Sequence, residues 1–273
     1  MRKNIFLGIM LCLLFPLYAQ EKVTLDLDTP EFESLKEEKR NELLQEFFTA
    51  NMPNITILER ATYVLYNIKS EIVRNAYVLP VLKDEVERCG YTDEVRGLVE
   101  DIVICSKTAE TIRIAKELEK KYYPLRNGAV APDFDLQDEF GKRVKLSEFK
   151  GKLVFIDVWS LENEKSSVGL SDFVKLKERY KNRDDIVFLT IFIDAEKSED
   201  WKKNLKSNGY SGKMPHLIAD GEGAFKNLYC VTEGPRYMMI DQNGKIVNAW
   251  HVEVNHAYFP FFFSMELEQL TKK

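Results

Sequence analysis

The hydrophobic pattern changes its period once along this chain, and that change limits what it can fold into. Over residues 30–122 apolar residues recur every three or four positions. Leu35, Leu43, Leu44, Phe47 and Phe48 form one stripe, which residues 51–54 interrupt. Ile57, Ala61, Val64, Leu65 and Ile68 run on into Ile72, Ala76, Leu79, Leu82 and Val86. After Gly90 come Val95, Leu98, Val99, Ile102 and Val103, and Ile112, Ala115 and Leu118 close the series. This spacing predicts helix throughout, with the stripes packed on one another.

Beyond Pro124 the apolar residues arrive in short runs divided by turn residues. Residues 128–132 read as a linker of small residues and proline. Residues 134–136 and 143–145 flank a turn at 138–141 and predict a short hairpin. Residues 153–158 and 186–193 are nearly continuous apolar runs, as expected of strands buried on both faces. Helices are predicted over 164–181, 199–207, 222–229 and 258–270, and a short strand over 216–219. Two strands at 237–240 and 246–250 enclose Asp241-Gln242-Asn243-Gly244, where Asn-Gly accepts positive φ. The order is that of an α/β layered domain.

Composition narrows the function classes. Hydrophobic residues make up 45% and charged residues 30% of 273 residues, which excludes a disordered chain, a collagen and a disulfide-dense mini-protein. Lys plus Arg number 39 against 44 Asp plus Glu, so no basic excess points to nucleic acid. The beginning of the chain reads as an address. Arg2 and Lys3 precede 14 uncharged residues from Ile5 to Tyr18, and Leu17-Tyr18-Ala19 offers a small-residue cleavage site. The run is shorter than the ~18–20 residues that span a bilayer. Leu11 before Cys12 does not suit a lipoprotein cut. The expected organisation is a signal peptide over 1–19, a helical region over 20–127 and an α/β domain over 128–273, exported to the periplasm or cell envelope.

Three cysteines remain after such a cut: Cys89, Cys105 and Cys230. Cys105 lies 13 residues beyond Thr92, which in one unbroken helix is ~20 Å. A disulfide requires Cα atoms within ~7 Å. Cys89 and Cys105 therefore pair only if the second helix breaks near residues 106–108, and buried free thiols are the alternative. His216, His251 and His256 form no ligand pattern, and no metal or cofactor is expected. Phe259, Phe261, Phe262 and Phe263 surround Pro260, either locking the last helix onto the core or forming a membrane or partner patch.

Three segments of the second half carry a resemblance. Ala131-Pro132-Asp133-Phe134, Gly141-Lys142 and residues 146–152 are similar to an entry hairpin. Val154-Phe155-Ile156-Asp157-Val158-Trp159 is similar to a first central strand. Gly234-Pro235-Arg236-Tyr237-Met238-Met239-Ile240-Asp241 with Asn243-Gly244 is similar to a cis-proline loop and closing hairpin. Together they resemble the thioredoxin-like superfamily, in its exported peroxiredoxin (AhpC/TSA)/TlpA-like branch. The resemblance implies a thioredoxin-like fold, a central mixed sheet flanked by helices, preceded here by an all-α N-terminal region.

It also implies a Cys-x-x-Cys motif beginning four residues after the tryptophan. Those positions are Asn163 and Ser166, and no cysteine occurs from Ser106 to Tyr229. Thiol–disulfide exchange needs an attacking thiolate, whose pKa a helix N-terminus lowers, and a second thiol to resolve the mixed disulfide. Asn163 and Ser166 supply neither, but Asn163 suits an N-cap and Glu164 the first turn. Asp157 matches the carboxylate that moves protons in many relatives; without the thiol it reads as a buried, hydrogen-bonded acid. Trp159 either presents an aromatic face or belongs to the core. Trp159, Glu162, Asn163, Glu233, Gly234, Pro235 and Arg236 are the expected binding surface, an extended peptide or protein pairing with the proline loop. Glu164 and Lys165 extend its charged rim. The leading expectation is an exported, non-catalytic peptide-binding or scaffold module. The alternative is a thiol–disulfide oxidoreductase or antioxidant protein that uses Cys230, or a small-molecule pocket between the two halves.

Overall fold

A computed structural model of the protein describes residues 26–271; the expected signal peptide lies outside them. The N-terminal part is helical. It comprises α1 (Pro30–Ser34), α2 (Glu37–Asn51), α3 (Ile57–Asn67), α4 (Glu71–Cys89), α5 (Asp93–Cys105) and α6 (Ala109–Tyr122). Side-chain caps define the breaks. Thr56 and Glu59 form a reciprocal capping box at α3, and Ser70 and Thr92 cap α4 and α5. The periodicity runs unbroken from Ile57 to Val86, yet the chain turns at residues 68–70. Ile68 is extended and buried, and the Lys69 amide donates to the Asp28 carboxylate at 2.6 Å. Long-range contacts decide that break.

The expected strands and helices of the second half form, with boundaries moved by a residue or two. Its strands are β1 (Asp135–Asp138), β2 (Arg143–Lys145), β3 (Leu153–Trp159), β4 (Ile186–Phe192), β5 (His216–Ile218), β6 (Arg236–Ile240) and β7 (Ile246–His251). They make one mixed sheet in the order β2-β1-β5-β4-β3-β6-β7. β3, β4 and β5 run parallel, while β6 pairs antiparallel with β3. The helices are α7 (Glu164–Arg179), α8 (Ser198–Ser207), α9 (Ala224–Leu228) and α10 (Phe259–Thr271).

β3 is buried along its whole length, and its two faces belong to different cores. Val154, Ile156 and Val158 join a cluster that continues through Leu217, Phe225 and Tyr229 into the helical region. Leu153, Phe155 and Trp159 join the other, with Phe173 of α7, Trp201 of α8 and Phe259 and Phe263 of α10. The period of two thus places Asp157 on the α7 face. On that face His251, at the end of β7, sets its Nε2 2.7 Å from the Glu266 carboxylate of α10. This contact and the buried rings of Phe259 and Phe263 lock α10 to the sheet.

The helical region meets the sheet through Trp250. Its indole N–H donates to the Glu87 carbonyl at 2.9 Å, and its ring lies 6.0 Å from that of Tyr122. Gly90 has φ 77° and ψ −164°, a region essentially restricted to glycine. A Cβ there would stand 2.3 Å from the Trp250 ring. Gly90→Ala combines backbone strain with overpacking, and should destabilise the protein by roughly 2–4 kcal/mol. Chemical denaturation of parent and variant measures this; an unchanged midpoint would show that Trp250 does not hold the two regions together.

Candidate functional site

The site grows from the end of β3. After Trp159 the chain enters a loop fastened by Asp194, which lies just beyond β4. Ser160 Oγ donates to the Asp194 carboxylate at 2.8 Å, the Leu161 amide donates to it at 2.8 Å, and the Glu162 amide donates to Ser160 Oγ at 2.9 Å. Asp194 and Ser160 are buried. The sequence analysis did not single out this bracket; its one signal was an acid directly following a buried strand.

Asn163 then starts α7 and uses both ends of its amide. Oδ1 accepts from the Lys165 amide at 3.0 Å, while Nδ2 donates to the Gly234 carbonyl at 2.6 Å. The Gly234–Pro235 peptide bond is cis. Gly234 is pressed against the end of β3: a Cβ would stand 2.8 Å from the Val158 carbonyl and 2.9 Å from Ser166 Oγ. The two residues at the Cys-x-x-Cys positions therefore meet the proline loop. Asn163 is half-buried and Ser166 fully buried. Glu162 and Glu233 are exposed, as are Glu164 and Lys165, and Pro235 is half-buried. Glu162 pairs with Lys197 at 2.6 Å.

Two expected members of the binding surface stand elsewhere. Trp159 is fully buried, its ring 4.9 Å from that of Phe192, because its parity on β3 turns it into the α7-side core. Arg236 turns away from the rim. Its guanidinium donates to the carbonyls of Ala249 (2.7 Å), Cys230 (3.1 Å) and Tyr229 (3.2 Å) and lies 3.5 Å from the Trp250 ring centre. Burial pulls its pKa down to about 9, so it remains a cation at neutral pH. Cation–π stacking and three carbonyl acceptors stand in for a carboxylate partner.

Asp157 differs from the expectation of a hydrogen-bonded acid. Among the described residues neither carboxyl oxygen of this buried acid has a hydrogen-bond partner, and the same holds for Trp159 Nε1 and Ser166 Oγ. Tyr237 stands opposite Asp157 in the β3–β6 register. Burial pushes the Asp157 carboxyl well above its usual range and Tyr237 upward as well. The carboxyl is therefore neutral over a pH span in which an exposed aspartate is charged.

The thiols are free and separate. Cys89 and Cys105 end α4 and α5, at opposite ends of α5's length, although the chain does break at Ser106. Glu71 fastens that break: its carboxylate accepts from Ser106 Oγ and the amides of Lys107 and Thr108, which hold it down to about 2. Cys230 is buried, adopts φ 50°, and directs its thiol at the Lys121 carbonyl 3.5 Å away. Burial raises its pKa, leaving less thiolate than an ordinary cysteine carries. Cavities of about 530 and 440 Å³ lie beside β1 and α8 and between α7 and α10. Neither is lined by residues of the helical region. Among the described residues no cluster suits a metal, and no helix is long and apolar enough to cross a membrane.

Residues 126–258 match the redoxin family. This part of the chain is similar to the thioredoxin-like superfamily, in its TlpA- and AhpC/TSA-like branch. Among its relatives is the thiol-disulfide oxidoreductase ResA of Bacillus thuringiensis subsp. konkukian (strain 97-27), 30% identical over 120 residues. That alignment covers 44% of this chain and 66% of ResA. The thioredoxin-like protein YneN of Bacillus subtilis (strain 168) is 29% identical over 127 residues, covering 46% and 72%. A putative thiol:disulfide interchange protein DsbE from Chlorobium tepidum has 27% identity and a TM-score of 0.46, covering 54% of this chain and 99% of that one. The redoxin match leaves α1–α6 outside it.

The unpartnered Asp157 gives a pH-dependent prediction. Its folded pKa lies above the unfolded value near 3.8, so the folded state holds the extra proton between the two. That proton's contribution to stability is complete below the unfolded pKa and is lost as pH rises toward the folded one. Asp157→Leu removes the group. The variant should gain stability relative to its parent as pH is raised from about 4 to 8, by on the order of 1–3 kcal/mol. Urea midpoints across that range test it; a pH-independent difference would mean that Asp157 has an ordinary pKa.

Proposed function

We propose that residues 128–273 form a redox-silent thioredoxin-like module, a non-catalytic binding or scaffold element of an exported cell-envelope protein, with 20–127 as its helical companion. The observation that carries this reading is the double use of Asn163. Where the family's attacking thiol would stand, an amide caps α7 and ties the proline loop to it. Ser166, at the resolving position, is a buried hydroxyl that cannot reduce a mixed disulfide. Cys230 sits behind the proline loop against the helical region and lacks a second thiol in its domain.

The binding surface of this module is the rim formed by exposed Glu162 and Glu233 and half-buried Asn163 and Pro235 around Gly234. An extended peptide that pairs with the proline loop competes with Asn163 Nδ2 for the Gly234 carbonyl. Binding there is coupled to release of that side chain, which favours side-chain recognition by the mixed-charge rim over simple strand addition.

Reduction of insulin by dithiothreitol, followed as turbidity beside an active thioredoxin, separates the readings. Parent and Cys230→Ser should both match the dithiothreitol background. Turnover lost in Cys230→Ser would make that cysteine the working thiol and overturn the proposal; turnover that persists would point to Cys89 and Cys105. The double variant Asn163→Cys/Ser166→Cys should rise above background, because it places a thiol pair at the start of α7 beside the cis proline. Its inactivity would show that the surrounding residues no longer support exchange.

A further inference from the structure

The groove between α7 and α10 shares no lining residue with the proline-loop rim. It has a volume of about 440 Å³ and lies between the last turns of α7 and the first turns of α10. Leu176, Phe259 and Phe263 are buried and form its floor. Tyr180, Val254 and Pro260 stand at its walls. The Phe263 ring centre lies 5.1 Å from that of Phe259, 5.4 Å from that of Tyr180 and 5.0 Å from that of Phe155 on β3. The core therefore fixes the rings beneath the groove, and the cavity is preformed. Its size and apolar lining are those of small-molecule sites.

Three charged residues line the groove: Asp172, Lys175 and Arg179. Asp172 and Lys175 pair at 2.8 Å and neutralise each other. Arg179 follows Lys175 by one turn on the same face of α7. It is exposed and has no ion-pair or hydrogen-bond partner among the described residues. One uncompensated guanidinium thus stands beside an apolar floor. The first turn of α10, on the opposite wall, carries no acidic residue, so the positive end of that helix adds to the same attraction.

We propose that this groove binds a small amphipathic carboxylate, its apolar body on Phe259 and Phe263 and its carboxylate on Arg179. Charge and shape select this class. A cation would find only Asp172, which Lys175 already neutralises. A phosphate dianion calls for more than one free cation, and the groove offers one. The planar guanidinium fork matches a carboxylate through two parallel hydrogen bonds. A neutral apolar molecule would gain the floor but leave the guanidinium unused.

Titration of the purified protein with sodium octanoate, followed by amide chemical shifts in NMR spectra, tests the site. The shifts should saturate and centre on residues 175–180 and 259–264. Arg179→Gln, at an exposed position without a partner, should keep the fold and weaken binding about tenfold. Octylammonium has the same chain and the opposite charge, and should give no saturating shifts. Ser264→Trp fills the groove from its exposed wall and should abolish binding. A parent without saturable shifts would overturn the proposal, as would binding that is indifferent to Arg179→Gln or shared equally by octylammonium. Shifts centred on the exposed Phe261 and Met265 would also overturn it, since they would mean adsorption to the outer face of α10. If Ser264→Trp fails to fold, the comparison of parent with Arg179→Gln remains decisive.

Discussion

The Trp250 ring joins the two regions of this protein beside the core cluster that they share. It lies against Gly90 of the helical region on one side and under the Arg236 guanidinium on the other. Arg236 directly follows the cis proline; two of its three carbonyl bonds fix the turn at Tyr229 and Cys230, and the third holds Ala249 of β7. One side chain further, Gly234 takes the Asn163 amide at the start of α7. A continuous run of contacts therefore leads from the end of α4 to the candidate site. The buried cation in this run is balanced by carbonyl dipoles and an aromatic face, an arrangement stable only while all of these partners remain together.

The same geometry accounts for the departure at the thiol positions. A thiol at residue 163 would leave the first turn of α7 without its side-chain cap and the Gly234 carbonyl without its donor. Asparagine supplies both, a cap being worth about 1 kcal/mol and a buried unpaired carbonyl costing about as much. Beneath it, the buried Asp157 carboxyl and the Ser166 hydroxyl remain without hydrogen-bond partners among the described residues. Stability alone does not favour these groups, since an apolar side chain there would remove the desolvation cost. The site combines a surface tightened by a cap with an interior that retains an acid beneath it.

Much of the α/β part was legible in the chain. Runs such as residues 153–158 and 186–193 leave few choices besides central strands, and Asn243-Gly244 fixes the closing hairpin. The helical part was legible as helix but not in its breaks. The turn at residues 68–70 depends on Asp28 and Ser70 accepting from the backbone amides of Lys69 and Val73, and apolar spacing carries no record of that. The candidate site divided in the same way. Asn163 as a helix start could be read from residue type and position. Trp159 and Arg236 could not be placed, because an aromatic or cationic residue beside a loop can turn either way until its neighbours are known.

What the sequence by itself determined is the change of period near residue 124, the order of strands and helices beyond it, and the lack of any cysteine from Ser106 to Tyr229. These are properties of residue type and spacing, which local sterics and burial translate into structure without reference to distant parts. Only the tertiary structure decided that Arg236 faces Trp250, that Asp157 is buried without a partner among the described residues, and that the Asn163 amide reaches Gly234. Each of those outcomes depends on which groups arrive within about 3–4 Å from elsewhere in the chain, the range over which hydrogen bonds and stacking act.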